Sequence, residues 1–164
     1  MIGLLNKLTY KDNMDNDILV TGAGGFIGGY LVERLLLNNF SVTAVDIKNI
    51  NDWYQVHNNV NNIQLDLQNY DNCAKALNNA TIVYNLAADM GGMGFIETNK
   101  TSCMLSVLIN TNLLKAGKNK IKKYFYSSSA CVYRANKQNK TENVGLKESD
   151  VYPAFPEDGY GWEK

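Results

Sequence analysis

The stretch DILVTGAGGFIGGYLVERLL, residues 17–36, decides the fold. Its first part, DILVTG (17–22), is an apolar run of strand length that ends directly on glycine. Its second part belongs to FIGGYLVERLLLNN (26–39), where Ile27, Leu31, Leu35 and Leu36 recur at helical spacing. Between the two, Gly22, Gly25 and Gly28 form a G-x-x-G-x-x-G pattern. In a strand–turn–helix unit each glycine has a mechanical job. The first permits the tight turn out of the strand, the second a close approach of backbone to a pyrophosphate, the third close packing of helix on sheet. Phe26, Ile27 and Gly28 open the helix, where unpartnered N–H groups and the positive dipole end suit phosphate oxygens. The glycines alone would also describe a flexible loop. The strand before them and the helix after them favour dinucleotide binding.

The same rhythm continues outward. SVTAVDI (41–47) reads as a second strand, IQLDL (63–67) as a third, TIVYNLAA (81–88) as a fourth and KYFYSSSACVY (123–133) as a fifth. DNCAKALNN (71–79) reads as a helix, and one long helix is expected from Glu97 to Gly117. The section from Asp46 to Ile63 reads as irregular. Strands alternating with helices imply right-handed βαβ units. The expected fold is α/β: a Rossmann-type doubly wound parallel sheet over 17–164, truncated after the fifth strand and the start of the tyrosine-bearing helix. Residues 1–16 read as a polar lead-in, and no linker divides the rest. Asp46 ends the second strand, where a carboxylate can accept hydrogen bonds from adenosine ribose hydroxyls and repel a 2′-phosphate. NAD is therefore expected over NADP, a preference that nearby Lys48 weakens. Asp66 and Leu67 end the third strand in a position to border the adenine; a turn-forming carboxylate is an equal reading of Asp66.

Composition narrows the class. With 45% hydrophobic and 20% charged residues in 164, a packed core is expected rather than disorder. Sixteen basic residues balance sixteen acidic ones, which argues against a dominant nucleic-acid role. No apolar run approaches the ~20 residues of a membrane helix, and the N-terminus is too polar for a secretory signal, so a cytoplasmic location is expected. Cys73, Cys103 and Cys131 are scattered and odd in number, which indicates neither a disulfide framework nor a metal site.

Tyr160 and Lys164 lie four apart in YGWEK and would share one helix face. A free tyrosine is a poor base at neutral pH, but a neighbouring ammonium favours the phenolate. Such a pair can take a proton from a sugar hydroxyl while a nicotinamide takes hydride from the same carbon. Ser129, expected at the end of the fifth strand, could hold that hydroxyl. Alone, a tyrosine four before a lysine is usually an exposed helix face.

Together TGAGGFIG, NLAA, SSSACVY and YGWEK resemble the extended short-chain dehydrogenase/reductase superfamily, in its NAD-dependent epimerase/dehydratase family. NLAADMGGMGFI, and SACVY followed by LKESDVYPAFPEDGYGWEK, more particularly resemble the GDP-mannose 3,5-epimerases of that family. The resemblance spans about Ile18 to Lys164. It implies NAD held by Gly22, Gly25, Phe26, Ile27, Gly28, Asp46, Asp66 and Leu67, with Tyr160 and Lys164 reaching the cofactor. It implies a GDP-mannose-type nucleotide sugar contacting Gly91, Ser129, Ala130 and Cys131. Gly28 departs from the alanine often found there, a change expected to be harmless. The implied catalytic set is Ser129, Cys131, Tyr160 and Lys164. Cys131 matches an acid/base cysteine: once carbon 4 is a ketone, the hydrogens on carbons 3 and 5 become acidic, and a tuned thiol can move them.

Blander readings stand beside these. Cys131 could be a small core residue, as Cys73 and Cys103 are expected to be. His57 reads as a solvated surface residue. Met90, Met93 and Met104 could fill gaps in a core. Tyr124, Phe125 and Tyr126 read as strand packing. The family's further lysine, partner of the cysteine, has no counterpart after Tyr160 except Lys164, and a substrate domain is not found. The chain alone is therefore expected to be inactive and to need a complementing C-terminal polypeptide or a homo-oligomer. The alternatives are a non-catalytic NAD-binding fragment, or another nucleotide-sugar epimerase or dehydratase that would not need Cys131.

Overall fold

Strand β1 (Asp17–Thr21) is the buried run expected before the glycines, and helix α1 (Phe26–Leu36) follows them. The computed structural model describes residues 17–138 and 145–164; the lead-in expected over 1–16 and part of the polar stretch after Tyr133 lie outside these. Four further strands join β1: β2 (Val42–Asp46), β3 (Asn61–Gln64), β4 (Ala80–Asn85) and β5 (Lys123–Tyr126). All pairings are parallel, in the order β3-β2-β1-β4-β5. The order reverses at β1, so the doubly wound expectation holds, with a crevice beyond the carboxyl ends of β1 and β4.

The alternation of strand residues builds the two faces. Ile18, Val20, Val42, Ala44, Ile82 and Tyr84 face one way and pack with Leu31, Val32 and Leu35 of α1. Leu19, Val45 and Val83 face the other way. They pack with Cys73, Ala76 and Leu77 of α2 (Tyr70–Leu77) and with residues of a later helix. Burial on both faces explains why the central strands lack polar alternation. Ile27 does not join this core. It is 58% exposed, and Gly28 and Gly29 take the buried positions of the first helical turn instead.

The single helix expected from Glu97 to Gly117 is three: α3 (Met93–Thr98), α4 (Lys100–Leu105) and α5 (Val107–Ala116). Asn99 breaks the first junction with a non-helical backbone (φ −122, ψ 36), and the Thr98 hydroxyl bonds back to the Gly94 carbonyl. At the second, the Ser106 N–H turns to Cys103, three residues back, and its hydroxyl accepts from the Asp89 N–H. The third strand also shifts. Pairing runs over 61–64, so Asp66 and Leu67 lie beyond it rather than at its end. The fifth strand is four residues long, and Ser129 follows it by three. Short α6 (Ala135–Gln138) and α7 (Gly159–Glu163) complete the helices among the described residues.

Where the sequence reads as one domain, the chain forms two compact units. One contains the described residues up to Ala87 with Leu108–Tyr126; the other contains Ala88–Val107 and Ser127–Lys164. The first holds the sheet with α1, α2 and most of α5. In the second, α7 packs against α4 and against a 3-10 turn over Ala130–Val132. Three asparagines, Asn39, Asn78 and Asn119, take positive φ, which gives part of the asparagine enrichment a backbone role.

Candidate active site

The glycine turn sits at the end of β1 in the first unit. Gly22 has φ +67, and a Cβ there would come within 2.9 Å of the Leu86 carbonyl group. Only glycine meets both demands without strain. Gly25 caps α1 with no side-chain hydrogen bond, so the first N–H groups, at Phe26 and Ile27, remain available to an anion. At Gly28 an added Cβ would overlap the Gly22 carbonyl oxygen and stand 2.7 Å from the Ala23 Cα. The Gly28-for-alanine difference is therefore not harmless: helix and turn are too close here for a side chain. A turn with three glycines among its four residues, leading into a helix with no side-chain cap, fits the pyrophosphate of a dinucleotide.

Asp46 ends β2 and is 9% exposed. Its Oδ2 accepts from Gly24 N–H at 2.9 Å and its Oδ1 from Lys48 N–H at 3.0 Å. Two backbone donors fix the carboxylate, and each oxygen keeps a lone pair for a ribose hydroxyl. Asp66 accepts from the Gln68 N–H at 2.9 Å, which is the turn-forming role. The Leu67 side chain is buried in the core, and its carbonyl accepts from the Cys73 thiol. The expected adenine border is thus two exposed or backbone groups past β3, not a strand end.

A polar cluster closes the other side of this unit. Thr21 donates to Asn85 at 2.8 Å and accepts from Ala87 N–H at 3.3 Å. Asn85 in turn reaches Asn110 and the Tyr124 hydroxyl, and Tyr124 donates to Asn110 at 2.7 Å. Tyr124 therefore does more than the strand packing expected of it. Burial pushes its phenol up to about 12.

The second unit gathers the expected catalytic residues. Ser129 caps the 3-10 turn, accepting from Cys131 N–H at 3.2 Å. Cys131 is half-buried and packs against Ile96, Cys103 and Tyr160. Tyr160 is 4% exposed, on α7, in the same unit as Ser129, whose side chain offsets part of the effect of burial on the phenol. Gly161 makes this approach feasible, since a Cβ there would meet the Cys131 carbonyl and stand 2.6 Å from Pro156. Asp158 starts α7 by accepting from Gly161 N–H at 2.9 Å. Ala130 is exposed beside Cys131, and Gly91 leaves no room for a Cβ against Phe95, whose side-chain atoms would lie 2.8–2.9 Å away.

Lys164 has a carboxylate partner as well as the tyrosine ring. Lys164 Nζ lies 5.6 Å from the Tyr160 ring centroid, but it pairs at 3.2 Å with Glu163, whose side chain is fully buried. Burial pushes the Tyr160 phenol above its ordinary 10.0, with Cys131, Glu163 and Cys103 adding to the rise; Ser129 alone among the named groups pulls it back. Glu163 carries no signal in the sequence, where it reads as an ordinary helix position between tyrosine and lysine.

Other expectations divide. Cys73 and Cys103 are fully buried, as expected. Met90, Met93 and Met104 are exposed rather than core. His57 is half-buried, its Nε2 3.4 Å from the Gly29 carbonyl oxygen, so it is not simply solvated. Trp53 is a residue that sequence reasoning misses. It lies in the irregular section yet is buried against Gly24. No periodicity surrounds it that could have marked it. Among the described residues, no helix is long and apolar enough to cross a membrane, and no cluster of three or more His, Cys, Asp or Glu could hold a metal ion.

Comparison with known proteins bears on this geometry. A family model described as NAD dependent epimerase/dehydratase matches residues 18–163. GDP-mannose 3,5-epimerase 1 of Oryza sativa subsp. indica is 46% identical over 150 residues, 90% of this chain and 39% of that protein. GDP-mannose 3,5-epimerase of Arabidopsis thaliana is 42% identical over 163 residues, 98% of this chain and 43% of that protein. The chain thus spans about two fifths of the curated relatives it matches. Among solved structures, MoeE5 in complex with UDP-glucose and NAD is 28% identical with a TM-score of 0.71, covering 90% of this chain and 45% of that one. The UDP-glucose 4-epimerase of Thermus thermophilus, in complex with NAD, shares the fold at a TM-score of 0.74 and 24% identity, covering 90% and 47%.

Proposed function

The chain belongs to the NAD-dependent epimerase/dehydratase family, and from that premise we propose that it supplies the NAD seat and the central acid/base groups of a GDP-mannose 3,5-epimerase. One observation weighs most: Tyr160 is buried and packed with Cys131, in the same unit as Ser129. A tyrosine with a serine beside it can take the proton of a sugar hydroxyl while bound NAD takes the hydride from the same carbon. A thiol against the same tyrosine is what moving protons at neighbouring carbons requires.

Gly22, Gly25, Gly28 and the N–H groups of Phe26 and Ile27 hold the pyrophosphate in this reading. Asp46 holds the ribose and disfavours NADP, and Asp66 with the Leu67 backbone borders the adenine. Bound NAD supplies a reversible hydride acceptor for carbon 4 of the sugar. Ser129 orients the carbon-4 hydroxyl and Tyr160 takes its proton. Burial holds the Tyr160 proton tightly, and Ser129 offsets part of that effect. Lys164 keeps an ammonium near the ring. With carbon 4 a ketone, Cys131 exchanges protons at carbons 3 and 5 on one face of the sugar, an acid/base group from the rest of the protein returns or removes them on the other, and Gly91 and Ala130 contact the sugar. The remaining three fifths or so of such relatives, on the same or a separate polypeptide, is proposed to grip the nucleotide. Three free thiols suit a reducing compartment, and we place the protein in the cytoplasm.

The test joins this chain to the part of the Arabidopsis relative that it does not match, and supplies GDP-mannose and NAD. Epimerised products are expected, lost on Tyr160→Phe and on Cys131→Ala. Activity that survives Cys131→Ala but not Tyr160→Phe would favour the second reading, a different nucleotide-sugar epimerase or dehydratase. That reading draws on MoeE5, which shares the fold and is seen in complex with UDP-glucose.

A further inference from the structure

Four contacts close a ring around the glycine turn. The Trp53 indole Nε1 donates to the Lys48 carbonyl at 3.0 Å. The Lys48 N–H donates to Asp46 Oδ1, and Asp46 Oδ2 accepts from Gly24 N–H. Gly24 meets the Trp53 ring, whose Cδ1 would lie 2.7 Å from a Cβ at that position. A fifth contact, Tyr54 N–H to the Gly24 carbonyl at 3.0 Å, ties the next residue to the same glycine. Trp53 is 7% exposed and belongs to the core on the α1 side, whereas the Lys48 side chain is exposed.

We propose that Trp53 is a specificity-determining positioning residue of the cofactor site: it locks the Asp46–Lys48 turn. The carboxylate is then held in place for two ribose hydroxyls, and Lys48 is kept from turning its ammonium in on a 2′-phosphate. This rests on the NAD reading and deepens it. Asp46 and Lys48 make opposite demands two residues apart. The carboxylate repels a 2′-phosphate and the ammonium attracts one. Which of them governs depends on whether the turn can rotate. The indole N–H is the one side-chain donor among these contacts, and it is anchored in the core, so the turn inherits the rigidity of the sheet.

Trp53→Phe keeps an aromatic ring beside Gly24 and removes the donor to Lys48. Calorimetric titration of the unmodified protein with NAD and NADP sets the reference ratio of affinities. In Trp53→Phe that ratio should fall about threefold to tenfold, the range expected for losing one neutral hydrogen bond. In an Asp46→Ala background the same substitution should leave the ratio unchanged, because the group it positions is gone. A merely structural role would weaken both cofactors alike. An unaltered ratio in Trp53→Phe, or the same change with and without Asp46, overturns the proposal. If the unmodified protein binds no NAD, the cofactor reading itself fails and the proposal with it.

A second measurement needs no change at Trp53. The sequence has two tryptophans, Trp53 and Trp162, and Trp162 is exposed on α7. In Trp162→Phe the remaining indole reports on Trp53 alone. Its emission should change saturably with NAD, and equally with AMP, because the adenosine half lies against Asp46. Calorimetric NAD binding with no change in emission would overturn the placement of Trp53 at this seat.

Discussion

Gly28→Ala tests how closely helix α1 packs on the glycine turn. The added Cβ would overlap the Gly22 carbonyl oxygen and stand 2.7 Å from the Ala23 Cα. Both neighbours are backbone and cannot swing aside as a side-chain tip could. Overpacking of this kind costs roughly 1–3 kcal/mol. Alanine returns up to about 1 kcal/mol through its higher helix propensity, since position 28 lies in the first turn of α1. The net expectation is a loss of about 1–2 kcal/mol, or a fall in Tm of very roughly 2–8 °C at this size. The displaced residues belong to the pyrophosphate turn itself, so NAD affinity should drop by about tenfold, the equivalent of ~1.4 kcal/mol. Urea denaturation gives the first quantity and calorimetry the second. A variant as stable as the parent that binds NAD equally well would show that turn and helix relax freely. The close-packing argument would then be refuted.

Asp46→Ala should weaken NAD and narrow its advantage over NADP, measured by calorimetry; equal affinities in the unmodified protein would contradict the ribose role. Under native conditions a disulfide reagent should modify Cys131 first, because Cys73 and Cys103 are fully buried; mass spectrometry identifies the labelled thiol, and prior labelling of Cys73 or Cys103 would count against the packing. Burial, with Asp66 adding to it, pushes the Cys73 thiol from 9.0 up to about 11. The folded protein then keeps a proton that the unfolded chain releases, so stability full below pH ~9 is lost as pH rises to about 11. Two units correspond to roughly 3 kcal/mol, and Tyr124 extends the loss from about 10 to about 12. Urea midpoints across this window should fall steadily in the parent and less in Cys73→Ala.

The glycine turn is legible because its context is local: strand, glycines and helix are contiguous, and Asp46 closes a strand with clear β-branched character. Tyr160, Ser129 and Cys131 are legible only through their resemblance to a family, since nothing in their spacing brings Ser129 within reach of Tyr160 across 31 residues. What the sequence hides is tertiary. Trp53 has no periodic neighbours and is buried by the glycine it touches. Glu163 looks like an exposed helix position, yet its side chain is buried and pairs with Lys164. The long helix is broken by Asn99 and by the Ser106 hydroxyl, both of which offer side-chain alternatives to helical bonding. Ile27 has helical spacing but is displaced from the core because two glycines let the backbone itself pack there.

The central claim is that Tyr160 and Cys131 divide the work, oxidation at carbon 4 and proton movement at carbons 3 and 5. Deuterium uptake tests it most directly. The chain joined to the unmatched part of the Arabidopsis relative is incubated with NAD and GDP-mannose in deuterated water, and the sugar is examined by NMR. The account predicts deuterium at carbons 3 and 5, abolished by Tyr160→Phe, and abolished by Cys131→Ala while NAD binding persists. Deuterium uptake that survives Tyr160→Phe, or no uptake in a protein shown to bind both NAD and GDP-mannose, would contradict it.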